Sequence, residues 1–107
     1  MELSKEKKKL VDDLEPIIVD YFNLACQFDL YAPRIDQKTT TARFYLWHFL
    51  HFHKSFSVNE LSAQYERTKR NIYFGIAKTK YRVEKIACYK EIYSGLLELI
   101  KSKGIDV

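Results

Sequence analysis

The feature that most limits this chain is its lack of breakers: 107 residues contain three glycines and two prolines. Long irregular connections need such residues, and here there are almost none to supply them. Apolar residues also recur at helical spacing nearly from end to end. The combination predicts an all-α single domain of five or six helices joined by short loops. At this length one domain is the natural unit. A hydrophobic content of 47% allows a real core, though one with a modest stability margin.

The first helix is predicted over residues 4–23, with Leu10, Leu14, Ile17, Ile18, Tyr21 and Phe22 as its apolar stripe. Pro16 removes one hydrogen bond and disfavours a helical residue before it. A break at Glu15 is therefore expected, separating a looser charged helical segment, residues 1–15, from a globular domain, residues 16–107. Residues 29–40 read as a turn or short helix followed by a loop, with Pro33 inside it. Thr40 or Thr41 is placed to cap the next helix, residues 42–53. Phe44, Tyr45, Trp47, Phe49 and Phe52 make that helix the centre of the core.

Ser57 caps a short helix, with Glu60 three residues on in the capping-box arrangement. Val58, Leu61 and Tyr65 share one face of it. Thr68 caps the following helix, residues 69–85. Ile72, Ile76, Val83 and Ile86 lie on one side, with Thr79 between them, and Lys78, Tyr81, Arg82 and Lys85 lie on the other. A last helix, residues 88–103, buries Ile92, Leu96, Leu99 and Ile100 and stops at Gly104. Trp47, Leu50, Leu61, Ile72 and Ile76 are expected to meet in one core.

The charge is unevenly spread. Residues 1–33 carry four Lys/Arg and seven Asp/Glu, residues 34–90 carry twelve and four, and residues 91–107 carry two and three. A local balance of +8 in the middle of a chain whose net charge is +4 suits a polyanion, because phosphate neutralisation releases counterions. Its other reading is a solvated basic surface. Several classes have no support. No apolar run is long enough to cross a bilayer, and residues 1–9 are charged and unlike a secretory signal. Cys26 and Cys88 have no paired-ligand spacing and read as reduced, packed thiols of a cytoplasmic protein. His48 and His51 share a helix face, but His53 does not, and no cysteine or carboxylate completes a metal site. Nothing resembles a catalytic constellation or a cofactor loop, so no enzyme, metal or cofactor is expected.

One stretch does suggest an activity. Residues 57–65 and 66–73 read as a short helix, a tight turn and a second helix opening on Arg67, Thr68, Lys69, Arg70 and Asn71. That is the layout of a helix-turn-helix, whose second helix presents its N-terminal residues to the major groove. Lys69, Arg70 and Asn71 are the candidates to read bases, since arginine pairs with guanine and asparagine with adenine. Thr68 and the helix opening would hold phosphate. Arg34 and Lys38, joined by Arg43, are candidates to meet phosphate or the adjacent minor groove, and Thr41 and Lys78 are further DNA-binding candidates. Tyr73, Tyr81 and Tyr89 are the aromatics that could reach a nucleic acid. The run Lys7, Lys8, Lys9 reads as a solvated helix end.

Taken in order, these pieces resemble the C-terminal DNA-binding domain of the bacterial replication initiator DnaA, a relative of the Trp-repressor fold. Ile17 to Asn23 is similar to that family's opening helix. Asp29 and Leu30, with residues 34–41, are similar to its short helix and basic loop. Thr41, Ala42 and Arg43 are similar to its Ala-Arg entry to the next helix, and residues 57–76 to its helix-turn-helix. The resemblance covers roughly residues 16–86. It implies a Trp-repressor-like fold and a double-stranded DNA ligand. The family's Arg-Asp-His-(Ser/Thr)-Thr-Val reads here Arg67-Thr68-Lys69-Arg70-Asn71-Ile72, so the initiator's recognition sequence is not implied. Its ATPase loop is absent.

Two functions follow as expectations. One is a small double-stranded DNA-binding protein, monomeric or homodimeric, in replication control or transcriptional regulation. The other is a helical protein-interaction module that keeps the fold without DNA binding. Retained positive charge favours the first, and structured RNA is a further polyanion that charge alone would suit.

Overall fold

The computed structural model describes residues 3–33 and 36–107. Five α-helices follow one another: α1 (Lys5–Tyr21), α2 (Gln37–Lys54), α3 (Val58–Tyr65), α4 (Lys69–Lys85) and α5 (Ala87–Ser102). A one-turn 3-10 helix, Gln27–Leu30, lies between the first two. No strand occurs among the described residues.

Helix α2 is the axis of the fold. Every residue from Ala42 to Leu50 is buried, so this helix is enclosed on all sides. It packs against α4, α1 and the 3-10 turn, while α4 also holds α3 and α5, and α5 closes back on α1. Trp47, Leu50, Leu61, Ile72 and Ile76 share one core cluster, as the apolar spacing predicts. Two glycines mark close helix contacts. A Cβ at Gly75 would lie 2.8 Å from Phe44 and 2.9 Å from Trp47, so α4 approaches α2 where only a hydrogen fits. At Gly95 it would lie 2.5 Å from the Tyr21 hydroxyl, which donates to the Ile92 carbonyl at 2.8 Å and ties α1 to α5.

Several boundaries differ from the sequence expectation. Helix α1 does not break at Glu15. It runs straight through Pro16, and the expected division between residues 15 and 16 falls inside it. An internal proline costs a helix about 3 kcal/mol. The helix survives because contacts grip it on both sides of the proline: Val11, Leu14 and Glu15 before it and Ile17 and Ile18 after it are buried. Lys7 adds a clamp. Its ammonium meets Glu60 at 2.8 and 3.0 Å, donates to the Ser55 carbonyl at 3.2 Å and lies 5.0 Å from the Phe56 ring centre. That lysine is a tie between α1 and α3, not a solvated end.

Helix α2 starts earlier than expected. Asp36, not Thr40 or Thr41, is its cap, accepting the Thr39 N–H at 2.9 Å. Asp competes well with Thr at this position, and the extra turn lets Thr39 and Ala42 pack inside. Cys26 and Cys88 are exposed free thiols rather than packed ones. In α5, Tyr93 takes the buried position expected of Ile92, which is partly exposed. No helix among the described residues is long and apolar enough to cross a membrane.

Candidate nucleic-acid interface

The local sequence sets the start of α4 firmly. Both halves of the capping box form at α3: the Glu60 N–H donates to Ser57 Oγ at 3.0 Å, and the Ser57 N–H to Glu60 Oε1 at 2.9 Å. The hydrogen bond from Lys7, then that from Ser57, holds the Glu60 carboxyl below its ordinary value. Leu61 and Tyr65 anchor α3 in the core. The chain then turns at Glu66, in the left-handed region with φ 52°. Ser62 Oγ donates to the Arg67 carbonyl and fixes the turn. Thr68 caps α4, accepting the Asn71 N–H at 3.1 Å. Residues 66–68 alone separate the two helices.

The first turn of α4 presents Lys69, Arg70 and Asn71 to solvent and contains no acidic residue. The Lys69 and Arg70 N–H groups have no acceptor within the helix, which adds partial positive charge at the same end. Ile72, Gly75, Ile76 and Thr79 form the buried side. Arg70, Phe74, Ala77 and Tyr81 therefore run along the middle of the outer side, at spacings of four, three and four. All four are exposed. Tyr73 is 67% exposed, Phe74 54% and Tyr81 62%. Lys78 is also exposed and holds its ammonium 5.3 Å from the Phe74 ring centre. Tyr89 is half-buried beneath the Arg82 guanidinium.

The other expected cations are placed differently. Arg43 is 5% exposed. Its Nη1 donates to the carbonyls of Asp29 at 3.2 Å and Ala32 at 2.7 Å, and its Nη2 to Thr40 Oγ1 at 3.4 Å. Burial, and then the charge of Arg67, pull this guanidinium below its ordinary value, with Asp36 and Asp29 opposing. Arg67 is half-buried and donates to the same Ala32 carbonyl at 2.7 Å. Both arginines therefore brace the segment before α2, and Arg43 is a buried strut rather than a surface contact. Thr41 is half-buried on α2. Lys38 is exposed and bonds the Asn23 carbonyl at 3.0 Å. Arg34 lies outside the described residues. Between α2 and α4 opens a cleft of about 490 Å³ whose lining includes Arg67, Asn71, Thr40 and Pro33.

Two features escaped the sequence reading. Phe74 was hidden in an aromatic-rich chain, although its position opposite Ile72, Ile76 and Thr79 on a helix would have exposed it. The second is an interior polar cluster. Glu15, 2% exposed, accepts from Gln27 at 3.0 Å, from Tyr65 at 2.8 Å and from Tyr31. Burial, then the neighbouring Glu15, pushes both phenols well above their ordinary value, so they remain donors. The histidines pack among aromatics: His48 lies 4.9 Å from both Phe52 and Tyr93 by ring centres, and His53 stacks on Phe49. No group of three metal-ligating side chains gathers among the described residues.

No family model, no curated protein and no solved structure matches this chain.

Proposed function

We propose that this protein binds double-stranded DNA, with α3 and α4 acting as a helix-turn-helix of the Trp-repressor-like kind seen in the DnaA C-terminal domain. The observation that carries this reading is the opening of α4: Lys69, Arg70 and Asn71 stand together in solvent, with no acid in that turn, immediately after a three-residue connection. In this reading Arg70 and Asn71 meet base edges and Lys69 and Thr68 meet phosphate. Thr68 accepts its capping bond through oxygen, which leaves its hydroxyl proton for a phosphate. Lys38 and Lys78 flank the contact, and Arg67 lines the cleft beside Asn71. Such a module belongs in replication control or transcriptional regulation.

A second reading has its own support. Three large exposed aromatics on α4 would also suit a protein partner bearing acidic and apolar side chains. The test is a titration with duplex DNA, single strands and duplex RNA at two salt concentrations. The DNA reading expects duplex affinity to fall steeply with salt, with a slope of about −0.9 for each phosphate contacted. Absence of duplex binding at low salt would favour the protein partner.

A further inference from the structure

We infer that α4 reads thymine methyl groups, through Tyr73 and Phe74, one turn beyond the polar contacts of Arg70 and Asn71. The inference rests on the reading just given, that α4 lies in a major groove. Helix geometry places these two rings about 6 Å along the axis from Lys69 and Arg70, a distance on the order of one to two base pairs.

A major groove offers a helix little that is apolar. Its floor is lined by hydrogen-bond donors and acceptors, and the one apolar group among them is the C5 methyl of thymine. A helix that carries two exposed aromatics into that groove has no other apolar complement there. The Phe74 ring is also held in a way that suits a methyl better than a stacked base. Phe74 meets the Phe44 ring edge-on, with centres 6.2 Å apart, while Lys78 lies over it at 5.3 Å. A ring fixed beneath and partly covered by a cation is a rigid apolar knob, not an open stacking platform. Beside it is a shallow apolar cleft of about 570 Å³ formed by Tyr73, Phe74, Ala77 and Val58, rimmed by Lys69 and Arg70. A methyl can enter that cleft while the two cations remain at the polar edges and the backbone.

The reading separates two kinds of specificity on one helix. Arg70 and Asn71 discriminate by hydrogen bonding, and Tyr73 and Phe74 discriminate by a single carbon. Uracil provides a clean probe, because it pairs as thymine does and lacks only the methyl.

The experiment selects a preferred duplex from a randomised pool, then replaces each thymine by uracil one at a time. Wild type should lose about fourfold in affinity at one or two positions, the effect of one buried methyl, and nothing at the others. Phe74→Ala and Tyr73→Ala should bind the parent duplex less tightly and no longer distinguish uracil at those positions. Phe74→Leu, which keeps an apolar knob, should still distinguish it. Circular dichroism confirms that each variant is folded. A duplex that binds tightly with every thymine replaceable would overturn the inference and leave the DNA reading standing. Preference for a single strand, lost in Tyr73→Ala, would overturn it by assigning the face to base stacking. No duplex binding at low salt would overturn both readings together.

Discussion

Two groups of polar residues in this molecule look alike in sequence and behave in opposite ways. Around the start of α2, Arg43 and Arg67 converge on the Ala32 carbonyl, and nearby Glu15 accepts from Tyr31, Tyr65 and Gln27. On the outer side of α4, Lys69, Arg70 and Asn71 point into solvent. The first group holds helices to one another. The second is free to meet a ligand. A basic residue buried against carbonyls, as Arg43 is, is held inside the fold, whereas an exposed one such as Lys38 can exchange its carbonyl for a ligand. The local charge of residues 34–90 therefore overstates the charge at the surface, since Arg43 is part of the interior.

Glu15→Ala has the largest expected effect. It leaves two phenol donors without their shared acceptor, one of them, Tyr65, fully buried. A loss of about 3–5 kcal/mol of folding stability is expected, combining the lost bonds to a charged group with the orphaned donors. Chemical denaturation measures it. Arg70→Ala, by contrast, should change stability by less than about 0.5 kcal/mol, as exposed substitutions do. Equal effects from the two would erase the distinction between interior and interface.

A second interior site, His48 against Phe52 and Tyr93, carries a pH dependence. Burial, with His53 and His51 adding, holds the His48 imidazole down to about 4. An unfolded imidazole titrates near about 6.5. Between these values the unfolded chain binds a proton that the folded chain does not. Stability is therefore full above about 6.5 and falls as the pH drops towards 4, by about 2–3 kcal/mol. His48→Phe should remove this loss while leaving any loss from Glu60, which begins only below its ordinary value of 4.5. Denaturation midpoints compared at about pH 7 and about pH 5 separate the two.

On the outer face, the distinction to sharpen is between reading and holding. Arg70→Ala and Asn71→Ala should cost about 1–3 kcal/mol each on the preferred site and relax its sequence at particular base pairs. Lys38→Ala should weaken all duplexes alike and make the salt slope shallower, because backbone contacts carry no sequence information directly. A randomised-site selection on each variant decides. An unchanged site in the Arg70 and Asn71 variants, with an altered one in the Lys38 variant, would reverse the roles.

What the sequence revealed follows the same division. Local signals were legible: Ser57 and Glu60 gave the start of α3, and Thr68 the start of α4, because caps act within four residues. The apolar periods located Leu61, Ile72 and Ile76. Long-range contacts were not legible. The survival of α1 through Pro16 depends on Val11, Leu14 and Ile18 finding partners elsewhere in the fold, which no local rule contains. The burial of Arg43 depends on two carbonyls, from Asp29 and Ala32, more than ten residues away in the chain. Lys7 and Glu60 are separated still further. Those ties decide which charges reach the surface, so the exposed cations at the opening of α4 were readable in place, while the burial of Arg43 was not.

Glu66 sits on the boundary between the two groups and gives the smallest expected effect. It is exposed and occupies the left-handed region at φ 52° and ψ 49°. A side chain with a Cβ strains the backbone there by roughly 1–2 kcal/mol, while glycine does not. Glycine also loses more freedom on folding, which offsets part of the gain. Glu66→Gly should therefore stabilise the protein by about 0.5–1 kcal/mol. The same substitution deletes a negative charge next to Arg67 and the cationic first turn of α4, so it should also raise affinity for every duplex. Glu66→Gln separates these causes, because it removes the charge and keeps the Cβ. It should match the glycine variant in affinity and wild type in denaturation midpoint. If glutamine raises stability as much as glycine does, the unfavourable place of a negative charge at the C-terminal end of α3, rather than backbone strain, governs this turn. If neither variant changes affinity, the negative side chain lies too far from the bound phosphates to matter, and α4 must meet DNA further along its length than its first turn.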